Sequence, residues 1–334
     1  MFYFGMDHET VSQDLSRSIC TNANWEHVEL SPPIDNVVLK HLGMSSTLKT
    51  VSLTLAPQTS RPDQTCFGPE DTPFCNVTDL ALALWNSLDF ATCFLRPRDQ
   101  VFHSFEVTLH TSTIAMDVSA FISALASPQR IHSLQSIIVN KDSFVVPRVG
   151  ISTSDSQGIL VRQPLSYETF RPLVPFVYLR KLVINLDHPT SVNDEEFADL
   201  VRNWPLLEVF HFQMMWIQGE HPAPLTTLKG LLSLLVSCRK LREIGLTLDA
   251  SDVPSGASYT DVCNPSITSP LKFQNSPIKH PDLVAEFLLR HLPSVPGVLD
   301  SWYSHPTDPV ANDNLEYKRL WLQVNKRIGH PNFS

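Results

Sequence analysis

Apolar residues recur along this chain in a unit that joins a helical stripe to a short strand. Four apolar residues of one copy have the i, i+3, i+4, i+7 spacing of one helix face: Phe197, Leu200, Val201 and Trp204. The segment 207–212 that follows has apolar residues at its first, fourth and sixth positions, which indicates the two-residue period of a strand. An equivalent unit begins 34 residues later, with Leu231 in the place of Phe197.

The strand part of this unit occurs at seven places in the chain. The predicted strand segments begin at Trp25, Leu48, Phe102, Leu134, Leu179, Leu207 and Leu241. Their spacing varies from 23 to 54 residues, which implies insertions in some units. One helix and one strand cannot bury their own apolar faces, so we expect neighbouring units to stack into a shared core.

Alternating helices and strands fit both a solenoid and a doubly wound sheet. The repetition of the whole unit favours the solenoid, and the lack of a glycine-rich first turn weighs against a nucleotide-binding sheet. We therefore predict an α/β fold, an irregular leucine-rich-repeat-like solenoid (horseshoe) with parallel strands on the concave face and helices outside. Asp142, Asp187 and Asp249 follow three of the strands where that repeat has Asn or Cys, which is a partial match.

Residues that alternate with the apolar positions of the predicted strands are mostly polar. We expect them to face solvent on the inner curve, because successive side chains of a strand point to opposite faces. The predicted partner-binding residues are Glu106, Asn140, Lys181, Asn185, His211, Gln213 and Glu243. Interface hot spots are usually Trp, Tyr or Arg, and this set has none. Met214, Met215 and Trp216 form a more apolar candidate just beyond one strand.

The pattern divides the chain into three parts. We predict an N-terminal segment at 1–24, a solenoid at 25–280 and a C-terminal helical cap at 281–334, because solenoids need atypical terminal units. Two Pro-rich stretches, 56–76 and 250–281, are predicted to be exposed insertions.

Composition narrows the possible partners. Apolar residues make up 43% and charged residues 18% of the chain, which is a globular balance. The net charge is −9 without a basic stripe, so we expect neither nucleic-acid nor membrane binding. Six dispersed cysteines and a start that lacks signal-peptide features predict reduced thiols in an intracellular protein, cytoplasmic or nuclear.

The usual catalytic and ligand-binding motifs are missing from the sequence. There is no G-x-S-x-G, H-E-x-x-H, phosphate-binding loop or dinucleotide fingerprint, and the thirteen histidines show no metal-ligand spacing. The acidic run Asp194, Glu195 and Glu196 fits a helix start better than an acid/base pair. We therefore expect no catalytic residue, no metal, no cofactor and no enzymatic activity.

Three stretches, 178–184, 203–209 and 237–244, resemble the repeats of fungal F-box/leucine-rich-repeat-like proteins, and the resemblance covers roughly 25–300. It implies a substrate receptor of an SCF-type ubiquitin ligase, in which the repeats hold the protein to be ubiquitinated and the F-box docks the adaptor. No complete F-box precedes Trp25, so adaptor docking requires one encoded upstream. A freestanding repeat scaffold without a ligase link is the alternative.

Overall fold

The computed structural model describes residues 19, 21, 24–55, 73–85, 88–95, 100–110, 113–142, 163–214, 223–254, 266–274, 276–299 and 311–329. Over these residues the chain has an α/β fold. The strands are His27–Ile34 (β1), Thr50–Leu55 (β2), Asp79–Leu84 (β3), Ser104–Leu109 (β4), Ser136–Lys141 (β5), Lys181–Leu186 (β6), Val209–Met214 (β7), Glu243–Leu246 (β8), Leu271–Lys272 (β9) and Val298–Leu299 (β10).

Helices separate most of the strands along the chain. They are Asn36–Gly43 (α1), Asp89–Cys93 (α2), Ala115–Leu125 (α3), Pro128–Ser133 (α4), Tyr167–Phe170 (α5), Asp194–Val201 (α6), Leu228–Ser237 (α7), Pro281–His291 (α8) and Ala311–Arg327 (α9), with a 3-10 turn at Arg171–Leu173.

All ten strands form one parallel sheet in the order of the sequence, from β1 to β10, and the sheet is not closed. Each connection leads to the neighbouring strand in the same direction. Because such crossovers are right-handed, this strand order places the described connecting helices on one face of the sheet. The strand order has no reversal point of the kind that defines a doubly wound sheet.

The hydrophobic core lies between the helices and the face of the sheet that they cover. One apolar position is in register across the entire sheet: Val28, Val51, Leu80, Phe105, Ile137, Leu182, Phe210, Ile244, Leu271 and Val298. All of these except Val28 are fully buried. Phe105 packs on Phe121 of α3, and Phe210 packs edge-on against Phe197 of α6, so helices and strands share one core.

A repeated hydrogen-bond pattern marks the entrance of the strands. The carbonyl of His103 accepts two bonds from the next unit, from the N–H groups of Gln135 and Ser136 at 2.9 and 3.1 Å. The same double acceptance is made by the carbonyls of Glu26, Lys49, Thr78, Gln135, Arg180, Glu208 and Arg242. The units therefore join in one way even though their lengths differ, and insertions are accommodated elsewhere in each unit.

The two best-matched units are joined by the acidic run at the start of α6. Asn193 and Glu196 form a capping box, and Asp194 accepts hydrogen bonds from the N–H groups of Thr227 and Gly230 at 2.7 and 2.9 Å. Gly230 permits this approach, since a Cβ there would lie 2.9 Å from Asp194 Oδ1 and 2.6 Å from a carbon of Thr226. The run is a helix start, as predicted, and it also caps the next helix.

The seven predicted strands are all present, each beginning two residues beyond the predicted start. Three further strands were not predicted: β3, β9 and β10. The strand β10 lies within 281–334, so the sheet continues into the segment that we predicted to be a helical cap.

The last strand is covered by α9. The Asn325 side chain donates to the carbonyl of Val298 at 2.7 Å and accepts from its N–H at 2.8 Å. It thereby makes the hydrogen bonds that a further neighbouring strand would make. Trp321 on the same helix is fully buried and donates to Ser276 O at 2.9 Å. This edge is thereby protected from pairing with another strand.

Candidate functional site

The candidate site is the sheet surface that faces away from the helices, here called the open face. Its central row is in register across nine strands: Glu29, Ser52, Ala81, Glu106, Ile138, Val183, His211, Gly245 and Lys272. A second row, nearer the carboxyl ends of the strands, consists of Thr54, Ala83, Thr108, Asn140, Asn185 and Gln213. These rows are polar or small at most positions.

The open face changes character from one end of the sheet to the other. On β2, β3 and β4 the two rows hold only Ser, Ala and Thr apart from Glu106, and these side chains are half-buried. On β5 and β6 the central row is apolar and buried, with Ile138 6% and Val183 4% exposed. We expected both to face solvent, but both are buried.

Two amides face each other where β5 and β6 end. Asn185 Nδ2 donates to Asn140 Oδ1 at 2.8 Å. Asn185 Oδ1 is enclosed and finds no donor among the described residues. The next amide in the row, Gln213, donates instead to the carbonyl of Lys272 at 2.9 Å.

A charged cluster lies on β7, β8 and β9. Glu243 Oε1 is 2.5 Å from Lys272 Nζ and 3.0 Å from His211 Nε2, so a single carboxylate oxygen serves two partners. The contact with His211 is close, but its angle falls outside hydrogen-bonding geometry.

The environment of this cluster holds His211 neutral. Burial lowers the pKa of His211 to about 4, and the positive charges of Lys272 and Lys181 add to the effect, against the opposing pull of Glu243. Burial would raise the pKa of Glu243, but its hydrogen bond to Lys272 and the nearby charges outweigh this and leave the pKa below its ordinary value. At neutral pH the cluster therefore contains one carboxylate, one ammonium and a neutral imidazole.

Gly245 lies beneath this cluster. A Cβ at this position would lie 2.9 Å from Cδ and Oε1 of Gln213 and 2.9 Å from Cδ2 of His211. Because Gly245 has no side chain, the side chains of Gln213 and His211 on β7 can lie across β8.

All seven predicted site residues lie on the open face. The fold brings Asn140 to Asn185 and His211 to Glu243, whereas Glu106 has no ion pair or hydrogen bond within the described residues. Their role in binding stays a prediction. Lys272 was not predicted because β9 was not predicted. The local pattern that could have indicated this strand is the apolar pair Leu271 and Phe273 on either side of Lys272. Met215 and Trp216 lie outside the described residues.

A second polar group lies just beyond the carboxyl ends of β3 to β6. His110 stacks on Trp85 with a centroid separation of 4.5 Å, and its Nδ1 is 3.3 Å from Asp142 Oδ2. Lys141 forms an ion pair with the buried Asp187. Asp142 and Asp187 thus contact side chains of adjacent strands, whereas Asp249 accepts a hydrogen bond from the N–H of Ser251 at 2.8 Å, so the three aspartates make no uniform ladder.

Three further findings concern metal binding, membrane-spanning helices and similarity to known proteins. The described part of the chain contains no group of three or more His, Cys, Asp or Glu side chains placed to hold a metal ion. None of its helices combines the length and apolarity needed to cross a membrane. No family model matches this chain, and no curated protein matches it either.

Proposed function

We propose that this chain is a leucine-rich-repeat-like solenoid whose open face binds another protein. The observation that carries the proposal is the strand order, because right-handed crossovers between strands that follow one another place the described connecting helices on one face of the sheet. On β1 to β4 the open face presents exposed or half-buried side chains that are mostly polar or small, whereas the central row of the helix-covered face is buried from β2 to β10. Surfaces of this kind, repeated unit by unit, suit the extended binding that solenoids perform.

The size of the open face favours a macromolecule over a small ligand. Nine strands at about 4.8 Å separation extend over roughly 38 Å. Small-molecule sites are enclosed, mostly apolar concavities, whereas a protein interface takes about 800 Å² from each partner. The open face is broad and polar, so it fits the second class.

For the particular role we propose a substrate receptor of an SCF-type ubiquitin ligase within the cell, on the resemblance of 178–184, 203–209 and 237–244 to fungal F-box/leucine-rich-repeat-like proteins. Affinity purification of the natural protein tests this role. Recovery of a cullin and its adaptor supports it. Their absence from a purification of protein confirmed to be full length contradicts it and favours a freestanding scaffold.

Photo-crosslinking tests the binding face itself. A benzoylphenylalanine at Thr108 on the open face is expected to capture a partner that mass spectrometry identifies. The matched control places the same group at Val236, which is 46% exposed on α7. Equal capture from both positions, or capture from Val236 alone, would show that the open face is not the binding surface.

A further inference from the structure

The amide pair on β5 and β6 has hydrogen-bonding capacity left over. Asn140 accepts from Asn185, and among the described residues neither Asn140 Nδ2 nor Asn185 Oδ1 has a bond of its own. Asn185 Oδ1 is enclosed, so the group left for a partner is the donor Asn140 Nδ2, whose amide is held by Asn185. The carbonyl of a peptide group can accept a hydrogen bond from this donor.

Charges on the open face are segregated. Glu29, Asp79 and Glu106 lie on β1, β3 and β4, and the described residues of this part of the face supply no Lys or Arg. Lys181, on β6, has no acidic partner in the described structure, and Lys272 is neutralised by Glu243. The first four strands thus form an acidic field over small side chains, where a long basic side chain finds both space and charge complementarity.

We propose that the occupant of the open face is an extended segment of the partner protein, with Lys or Arg over β1–β4 and its backbone bonded to the amide pair of β5 and β6. This inference rests on the proposed function and specifies its partner. An extended chain fits better than a helix, because a helix has already used its backbone groups internally.

The dimensions agree with such a segment. From β1 to β6 the face extends over five strand separations, or roughly 24 Å, and an extended chain rises about 3.3 Å per residue. About seven residues therefore cross from the acidic field to the amide pair.

Selection from a random 12-residue peptide library displayed on phage tests the inference. The targets are the natural chain, the variant Asp79→Asn/Glu106→Gln, and the control variant Glu195→Gln/Glu316→Gln, which removes two charges from exposed helix positions. We expect at least a threefold enrichment of Lys and Arg among peptides bound to the natural chain and the control. The enrichment is expected to disappear with Asp79→Asn/Glu106→Gln, whose fold is verified by circular dichroism.

The amide contribution is tested with the selected peptides by fluorescence anisotropy. Asn185→Leu is expected to weaken binding at least tenfold, and Glu195→Gln to leave it unchanged. Peptides without basic enrichment that still lose binding with Asn185→Leu overturn this inference and leave the open face as a binding surface. Failure to select any peptide, or binding that is indifferent to every open-face change, overturns the inference. Capture from Thr108 by photo-crosslinking then decides whether the proposed function falls with it.

Discussion

The helix-covered face and the open face belong to the same ten strands, but their side chains obey different constraints. Phe105 and Phe210 are fully buried against helices, and the residues next to them in the chain, Glu106 and His211, lie on the open face. The covered face is uniformly apolar because its strands all pack into one hydrophobic core. The open face varies from the half-exposed Glu106 to the buried His211.

This difference separates stability from binding. Covered positions lose packing when altered, whatever unit they belong to. On the open face, the described residues of β7 to β9 form a connected network of His211, Gln213, Glu243, Gly245 and Lys272. The exposed and half-buried positions of β1 to β4 are available for recognition at little cost to folding.

The sharpest test of the comparison uses neighbours on β4. Phe105→Ala is expected to lower the free energy of unfolding by about 3–5 kcal/mol, since it removes a fully buried ring and leaves a cavity. Glu106→Ala, one residue away on the other face, is expected to change it by less than about 0.5 kcal/mol. Urea denaturation measures both, and similar losses for the two variants would contradict the distinction between the faces.

The buried histidine predicts a pH dependence that originates on the open face. The pKa of His211 is about 4 in the folded chain against an ordinary value of 6.5, so acid favours the unfolded state, which takes up the proton. The stabilisation is complete above pH 6.5 and is lost as the pH falls toward 4. Between pH 7 and 4.5 we expect a loss of about 2–3 kcal/mol in unfolding free energy.

In His211→Gln, the loss of unfolding free energy between pH 7 and pH 4.5 should be smaller than in the natural chain by about 2–3 kcal/mol, as measured by urea denaturation. His27→Gln is the matched control, because it removes an exposed histidine of the same face. An unchanged pH dependence in His211→Gln would show that burial of this imidazole does not govern it.

Asp194 tests whether the covered side also depends on polar contacts between units. Asp194→Ala removes acceptors from two backbone N–H groups and the Thr227 hydroxyl, and we expect a loss of about 2 kcal/mol in thermal or urea unfolding. Glu195→Ala, at the next and exposed position, should cost less than about 0.5 kcal/mol. Equal effects would mean that general helix-end charge, and not this contact, matters.

Gly245 tests packing within the open face. Gly245→Ala is expected to cost about 1–2 kcal/mol in unfolding free energy, because its Cβ would meet Gln213 and His211 at 2.9 Å. Gln213→Ala should relieve part of this cost, so the double variant is expected to be less destabilised than the sum of the two single changes. Strict additivity would indicate that the two side chains do not compete for space.

Much of the sheet was predictable because each strand carries a local signal. The segment from Val77 has the same pattern as the predicted strands, with Leu80 and Leu82 at its fourth and sixth positions, and it would have divided the 54-residue gap between Leu48 and Phe102. The strands β9 and β10 are two residues long, and a two-residue strand shows no period. Only pairing with a neighbour defines them.

The open face was predicted in outline, because alternation along a strand assigns each side chain to a face. The contacts on that face were not predictable. Glu243 and Lys272 are 29 residues apart, and their ion pair depends on the register of β8 with β9. The burial of Ile138 and Val183 was likewise not predictable, because alternation along a strand assigns a side chain to a face and does not record its surroundings.

By itself, the sequence determined the helix-and-strand unit, seven strands and the face on which each polar residue lies, because these follow from periods of 3.6 and 2 within short segments. The tertiary structure alone decided the capping of one unit by Asp194 of another, the edge protection by Asn325 and the neutral state of His211. Each of these depends on groups far apart in the chain, whose separation is set by stacking and register, and no local pattern records them.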